Sequence, residues 1–222
     1  MKRTIQALTL LLVAVALVAC GTTGDLNKMK KDYNNGDFAK VISREVKCKD
    51  DDKGCNQIHL LRGNACYQLG KKEKTTKYYD CAITHLEKGI KLTSDWDMGK
   101  FNLNRDQNYI NLCESIRERQ DLSKGEEAEQ YTRRLLKTSE DFVSVAPENL
   151  AAIYFKNSAK FTLLRKPILS APDDPQVCGA IRGIVTSLKA VNAKAQSSPY
   201  AENYSRLISD VESVKPMLVN CQ

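Results

Sequence analysis

Four apolar stripes at helical spacing run through the back half of this chain and constrain its fold more than any other feature. They pass through Ala128, Tyr131, Leu135, Phe142 and Val145; Leu150, Ile153, Tyr154, Phe161 and Leu164; Cys178, Ile181, Val185, Leu188 and Val191; and Tyr204, Leu207, Ile208, Val211 and Leu218. Recurrence every three or four residues gives each segment one apolar face along a helix. No alternating strand pattern competes. With 11 Gly and 6 Pro in 222 residues, long stretches carry no helix breaker. The expected fold is all-α: about eight helices in antiparallel hairpins joined by short loops. Pro147 is expected to start a helix, Lys166-Pro167 to stop one, and Asp174-Pro175 to supply an N-cap followed by Pro at the first helical position. The longest interruptions are expected at 93–104 and 170–174.

The N-terminus predicts export. Lys2 and Arg3 precede an apolar run from Ile5 to Ala19. That run spans roughly 22 Å as a helix, too short for a ~30 Å hydrocarbon core, so residues 1–19 read as a signal peptide. The run ends in Leu17-Val18-Ala19-Cys20, which resembles the lipobox of bacterial lipoproteins. That resemblance implies lipid attachment at Cys20, and residues 20–24 form the acylated Cys and a short polar tether. Gly21 stands where inner-membrane retention usually places Asp. By resemblance to Gram-negative lipoproteins, this favours the outer membrane with the domain facing the periplasm.

Losing Lys2 and Arg3 takes the formal charge from +7 to +5. The whole excess lies between Cys20 and Thr93; from Ser94 onward acidic and basic residues balance. A basic membrane-proximal lobe suits anionic headgroups or acidic partners, and mixed charges on solvated helix faces account for the same numbers. No aromatic-basic signature points to nucleic acid.

Eight cysteines in an exported chain imply disulfides, because that compartment is oxidising. With Cys20 assigned to lipid, seven remain. Spacing leaves their connectivity open. The leading pairing is Cys48 with Cys55, which bracket the turn from Lys49 to Gly54; Cys66 with Cys81 and Cys178 with Cys221 are further candidates. Cys113 falls on the stripe Tyr109, Leu112, Cys113, Ile116 and is expected to be a buried thiol outside the bridges. No pair has C-x-x-C spacing, and His59 and His85 are the two imidazoles, so no metal site is expected.

The front half repeats itself. A shift of 34 residues superposes Leu26 on Leu60, Tyr33 on Tyr67, Gly36 on Gly70 and Lys40 on Lys74, and 34 is the tetratricopeptide period. Tyr33-Asn34-Asn35-Gly36-Asp37-Phe38-Ala39 and Tyr67-Gln68-Leu69-Gly70 resemble the end of that repeat's first helix and its turn. Gly63, Tyr79 and Ala82 fall where the family places small, aromatic and small packing residues. The first copy departs at Val41 and Glu45. The resemblance implies TPR-like repeats over 25–93, followed by an irregular helical array over 94–222 packed on them. It also implies a partner-binding groove lined by Leu26, Lys30, Tyr33 and Asn34 from the first copy and Gln57, Leu60, Asn64, Tyr67 and Gln68 from the second. Tyrosines offer rigid contact area and amides pair with a peptide backbone, although Tyr33 and Tyr67 would equally serve as packing between repeats. Trp96 suits either an exposed anchor or a plug for its loop.

There is no phosphate loop, G-x-S-x-G elbow or H-E-x-x-H helix. The pairs Glu126-Glu127, Glu140-Asp141 and Asp173-Asp174 fall at helix starts or solvated faces. The chain is therefore expected not to be an enzyme and to need no cofactor. The expectation is a lipid-anchored adaptor for an envelope protein partner, with a solute-transport component holding a small-molecule ligand in its helical array as the alternative.

Overall fold

The computed structural model describes residues 24–218. The expected signal peptide, Cys20 and Cys221 lie outside the described residues. Among the described residues there are nine α-helices and no strand: α1 (24–34), α2 (Phe38–Ser43), α3 (Cys55–Glu73), α4 (Thr76–Leu92), α5 (Arg105–Asp121), α6 (Gly125–Val145), α7 (Leu150–Ser170), α8 (Pro175–Ala195) and α9 (Ala201–Val214). Short 3-10 turns cover Phe101–Leu103 and Lys215–Met217. The all-α class is established. The chain forms two compact units, one ending at Ser115 and one beginning at Ile116.

In the first unit α3 and α4 make the most extensive helix pairing. Two glycines permit the approach: a Cβ on Gly63 would stand 2.7 Å from Leu86 Cγ, and one on Gly89 would stand 2.6 Å from Leu60 Cδ2. Tyr79 and Ala82 are buried on α4. Beside this hairpin, Leu26, Met29, Val41, Ile58, Leu61 and Ala65 form a core on which Tyr33, Phe38, Ile42, Val46 and Cys48 pack. Gly36 (φ +77°) turns α1 into α2, and its N–H donates to Tyr33 O at 3.0 Å.

The second copy does not turn at its matching glycine. α3 continues through Gly70 to Glu73, and Lys74 takes the left-handed conformation (φ 53°), its N–H donating to Gly70 O at 2.8 Å. Lys71, Lys72 and Glu73 are good helix formers, so nothing breaks the helix at Gly70. The glycine is needed for space instead: a Cβ there would lie 2.7 Å from Tyr79 Cε1. The first copy is shorter than a full repeat, because α2 ends at Ser43 and residues 44–54 form an irregular segment. That segment was not among the expected long interruptions. It is held by an Arg44–Asp32 ion pair at 2.6 Å and by the Cys48–Cys55 disulfide.

A second disulfide, Cys66–Cys81, joins α3 to α4. Cys113 is buried and belongs to neither bridge. Cys178 is buried on α8.

The second unit stacks α6, α7, α8 and α9 in sequence. Tyr154, Phe155, Tyr200 and Tyr204 cluster with ring centroids 5.3–6.2 Å apart, and Tyr204 OH donates to Leu150 O at 2.9 Å. Asp174 caps α8 as expected, accepting from Gln176 N at 2.8 Å with Pro175 in the first turn. Two proline expectations fail. Pro147 sits in the turn before α7, whose N-cap is Asn149, accepting from Ala151 N and Ala152 N at 2.9 and 3.3 Å. Pro167 lies inside α7, which runs on to Ser170. It lacks the N–H that would have bonded the carbonyl of residue 163, and buried Ile168 holds the last turn in spite of that loss.

Candidate functional site

The expected groove residues do not share one surface. Leu26, Leu60, Asn64 and Tyr67 are buried; Lys30, Tyr33, Gln57 and Gln68 are half-buried; Asn34 is exposed. The reason is local. Leu26 belongs to the core it shares with α2 and α3 and Leu60 packs on Gly89 of α4, while α5 and the 3-10 turn at Phe101–Leu103 supply partners for Asn64, Tyr67 and Gln57.

Asn64 is the centre of this arrangement. Its Nδ2 donates to Asn108 Oδ1 at 2.9 Å, and its Oδ1 accepts from Asn111 Nδ2 at 2.6 Å. Asn108 donates in turn to Asn104 O at 2.7 Å, and Asn111 Oδ1 accepts from Gln107 Nε2 at 2.8 Å. Burial of these amides is tolerable because each is paired. One turn on, Tyr67 OH donates to Glu114. Gln57 Oε1 accepts from Lys30 Nζ at 2.9 Å and from Asn102 Nδ2 at 3.1 Å. Burial, with the nearby Lys100 charge, lowers the pKa of Lys30.

What stays open is aromatic. Tyr33 packs edge-on against Phe38 at 5.1 Å and stacks on Phe101 at 5.4 Å. Burial pushes the Tyr33 hydroxyl up to about 12, against a hydrogen bond with Gln68 that acts the other way. Phe101 remains 46% exposed and Met98 54% exposed on the same segment, while Trp96 is half-buried. Lys100 is exposed and pairs with Asp97 at 2.9 Å. The surface thus consists of an aromatic ladder, a methionine and lysines. Sequence reasoning found Tyr33 but missed Phe101 and the amides of α5. A signal for the latter existed: Asn104, Asn108, Asn111 and Ser115 recur at helical spacing.

In the second unit, α6, α7 and α8 enclose a cleft of about 430 Å³. Leu136, Leu163, Leu164 and Ile184 supply apolar wall; Asn157, Ser187, Lys156 and Lys160 supply polar groups. Asn157 Nδ2 already donates to Ile153 O at 2.8 Å and Ser187 Oγ at 3.0 Å.

Among the described residues, Cys48, Cys55 and His59 bring three metal-ligating atoms together. No helix of the described residues is long and apolar enough to cross a membrane. No family model, curated protein or solved structure matches the chain.

Proposed function

We propose that this protein is a lipid-anchored, periplasm-facing adaptor of the bacterial outer membrane that engages an envelope protein through its first unit. The observation that carries this reading is the Phe38–Tyr33–Phe101 ladder, open to solvent at Phe101 beside exposed Met98. Stacked aromatics and methionine are surfaces that bind apolar anchors of a partner. The TPR-like hairpin reading draws on the glycine-permitted packing of α3 on α4 and on buried Tyr79 and Ala82. Export and lipidation rest on residues 1–20, and two disulfides suit an oxidising compartment. The lipid would hold the aromatic surface at high effective concentration near a membrane-bound partner.

The test is crosslinking in intact cells followed by recovery of the protein from the envelope fraction. The Tyr33→Ala/Phe101→Ala double variant, checked for intact helicity, is the control. One dominant envelope protein, captured by the native chain and lost in the variant, is expected. Equal capture by both chains overturns the assignment of this surface.

A second reading follows from the α6–α8 cleft, whose leucine walls and two lysines suit an anionic amphiphile. Recovery of no partner, together with a thermal shift from such a ligand, would select it. Leu163→Trp should then abolish the shift.

A further inference from the structure

The segment 44–54 and the facing helices gather two sulfurs and two imidazoles in the first unit. Cys55 opens α3, and His59 follows one turn later on the same face. Cys48 comes from the irregular segment and reaches that face through its bridge, with a Cα–Cα distance of 5.6 Å. The two Sγ atoms and a ring nitrogen of His59 all lie within 4.8 Å of one another. His59 is 5% exposed; its Nε2 is buried without a hydrogen-bond partner, and its Nδ1 lies 2.8 Å from Nδ1 of His85. A buried nitrogen whose hydrogen bond is unmade is costly to keep. The same ring contributes a nitrogen to the group that holds the two sulfurs.

We infer that the cluster is a thiophilic cation site alternating with the Cys48–Cys55 disulfide: once that bridge is reduced, Cys48 Sγ, Cys55 Sγ and His59 Nε2 take up one zinc ion. His85 is the outer partner that holds the His59 ring through the Nδ1–Nδ1 hydrogen bond, as the second neighbour of a metal-ligating imidazole commonly does. Two sulfurs and an imidazole form a soft donor set that selects zinc over calcium or magnesium.

Loading requires two electrons, supplied by a dithiol. One thiolate of the dithiol attacks Sγ of Cys48, which is half-buried, whereas Cys55 is buried. The sulfur–sulfur bond breaks and Cys55 leaves as a thiolate. The second thiol of the reductant then displaces Cys48 from the mixed disulfide, and the reductant departs as its own disulfide. Zinc binding releases to water any proton that either Cys has taken up, so two thiolates and a dication enter without net charge. The first turn of α3 favours the Cys55 thiolate. Zn–S bonds of about 2.3 Å place the sulfurs roughly 3.7 Å apart. Cys48 is outside any helix, so the segment can open by that amount. Either closure ties residue 48 to residue 55 and keeps segment 44–54 on α3.

The experiment uses the full chain stripped of metal, reduced with a phosphine that adds no competing thiol. Zinc is titrated against a chromophoric chelator, and protection from iodoacetamide is mapped by peptide. About one zinc per reduced chain is expected, with none on the oxidised chain. Cys48 and Cys55 should be protected, Cys66 and Cys81 not. His59→Ala should weaken binding at least tenfold, and His85→Ala about tenfold with stoichiometry retained. Equal binding by the oxidised chain, unprotected Cys48 and Cys55, or unchanged affinity in His59→Ala overturns the inference. If reduction itself melts the helices, zinc must restore helicity and protection together; failure of either overturns it as well.

Discussion

His59 and His85 face each other Nδ1 to Nδ1 at 2.8 Å, their rings stacked 5.0 Å apart. This geometry lets one imidazole donate to the other while both are neutral, and it has no place for a second proton. Burial, then the Arg62, His59 and Lys88 charges, holds His85 down at about 4; burial and Lys88 also lower His59, against a smaller opposing pull from Asp50.

Acid should therefore weaken the fold. The unfolded His85 imidazole takes a proton near pH 6.5 and the folded one resists until about 4, so its contribution is complete above pH 6.5 and is lost as pH falls toward 4. After allowance for solvent screening of a partly enclosed group, the loss from His85 is about 2 kcal/mol. Urea midpoints at pH 7.5 and 4.5 check this; His85→Gln should flatten the difference.

The glycines of the α3–α4 hairpin make a sharp contrast with those of α8. Gly63→Ala and Gly89→Ala gain helix propensity, yet each drives a methyl to within 3 Å of Leu86 or Leu60 backbone nitrogen. A net loss of about 1–3 kcal/mol is expected. Gly179, with nothing within 4 Å of an added Cβ, should gain up to about 1 kcal/mol on substitution by Ala. Thermal denaturation of the three variants separates crowding from propensity.

Removing Asn64 strands the amides of Asn108 and Asn111 in a buried site. Asn64→Ala should cost about 3 kcal/mol, and Asn64→Leu no less, because the loss comes from unpaired partners and not from volume. Chemical denaturation together with amide hydrogen exchange along α5 would show it; unchanged protection of α5 would mean that the amides do not dock it.

The two bridges close loops of different length. Cys66 and Cys81 are 15 residues apart and Cys48 and Cys55 are 7 apart. The chain-entropy argument assigns about 3 kcal/mol to the first and about 2.5 kcal/mol to the second. Paired Cys→Ser variants should lose stability in that order, read from denaturant midpoints.

Helices were legible because their signal is local: apolar spacing, an Asp-Pro cap, and few breakers. Partners across elements were less so. The Cys48–Cys55 and Cys66–Cys81 pairings could be guessed from short loops, since nearness in sequence limits the distance between the sulfurs. Burial of Asn64 and Tyr67 could not, because it depends on α5 returning to the face that α3 offers. Gly70 shows the same limit within one residue. A glycine beside a helix end reads as a turn, and its use as space for the Tyr79 ring emerges once α4 is in place. Pro167 was misread because the hydrogen bond it removes is offset by packing that depends on other elements: Ile168 has an apolar seat to occupy.

The amide network around Asn64 has a consequence for how this chain can change over generations. Leucines and isoleucines in the hairpin can exchange one at a time, each swap tolerated by small repacking of its neighbours. Asn64, Asn108 and Asn111 have no such freedom, since losing one leaves the others with unmet polarity. Across descendants of this chain the three positions should be inherited as a set, kept together or replaced together by apolar residues, and a sequence carrying two of the three should be rare.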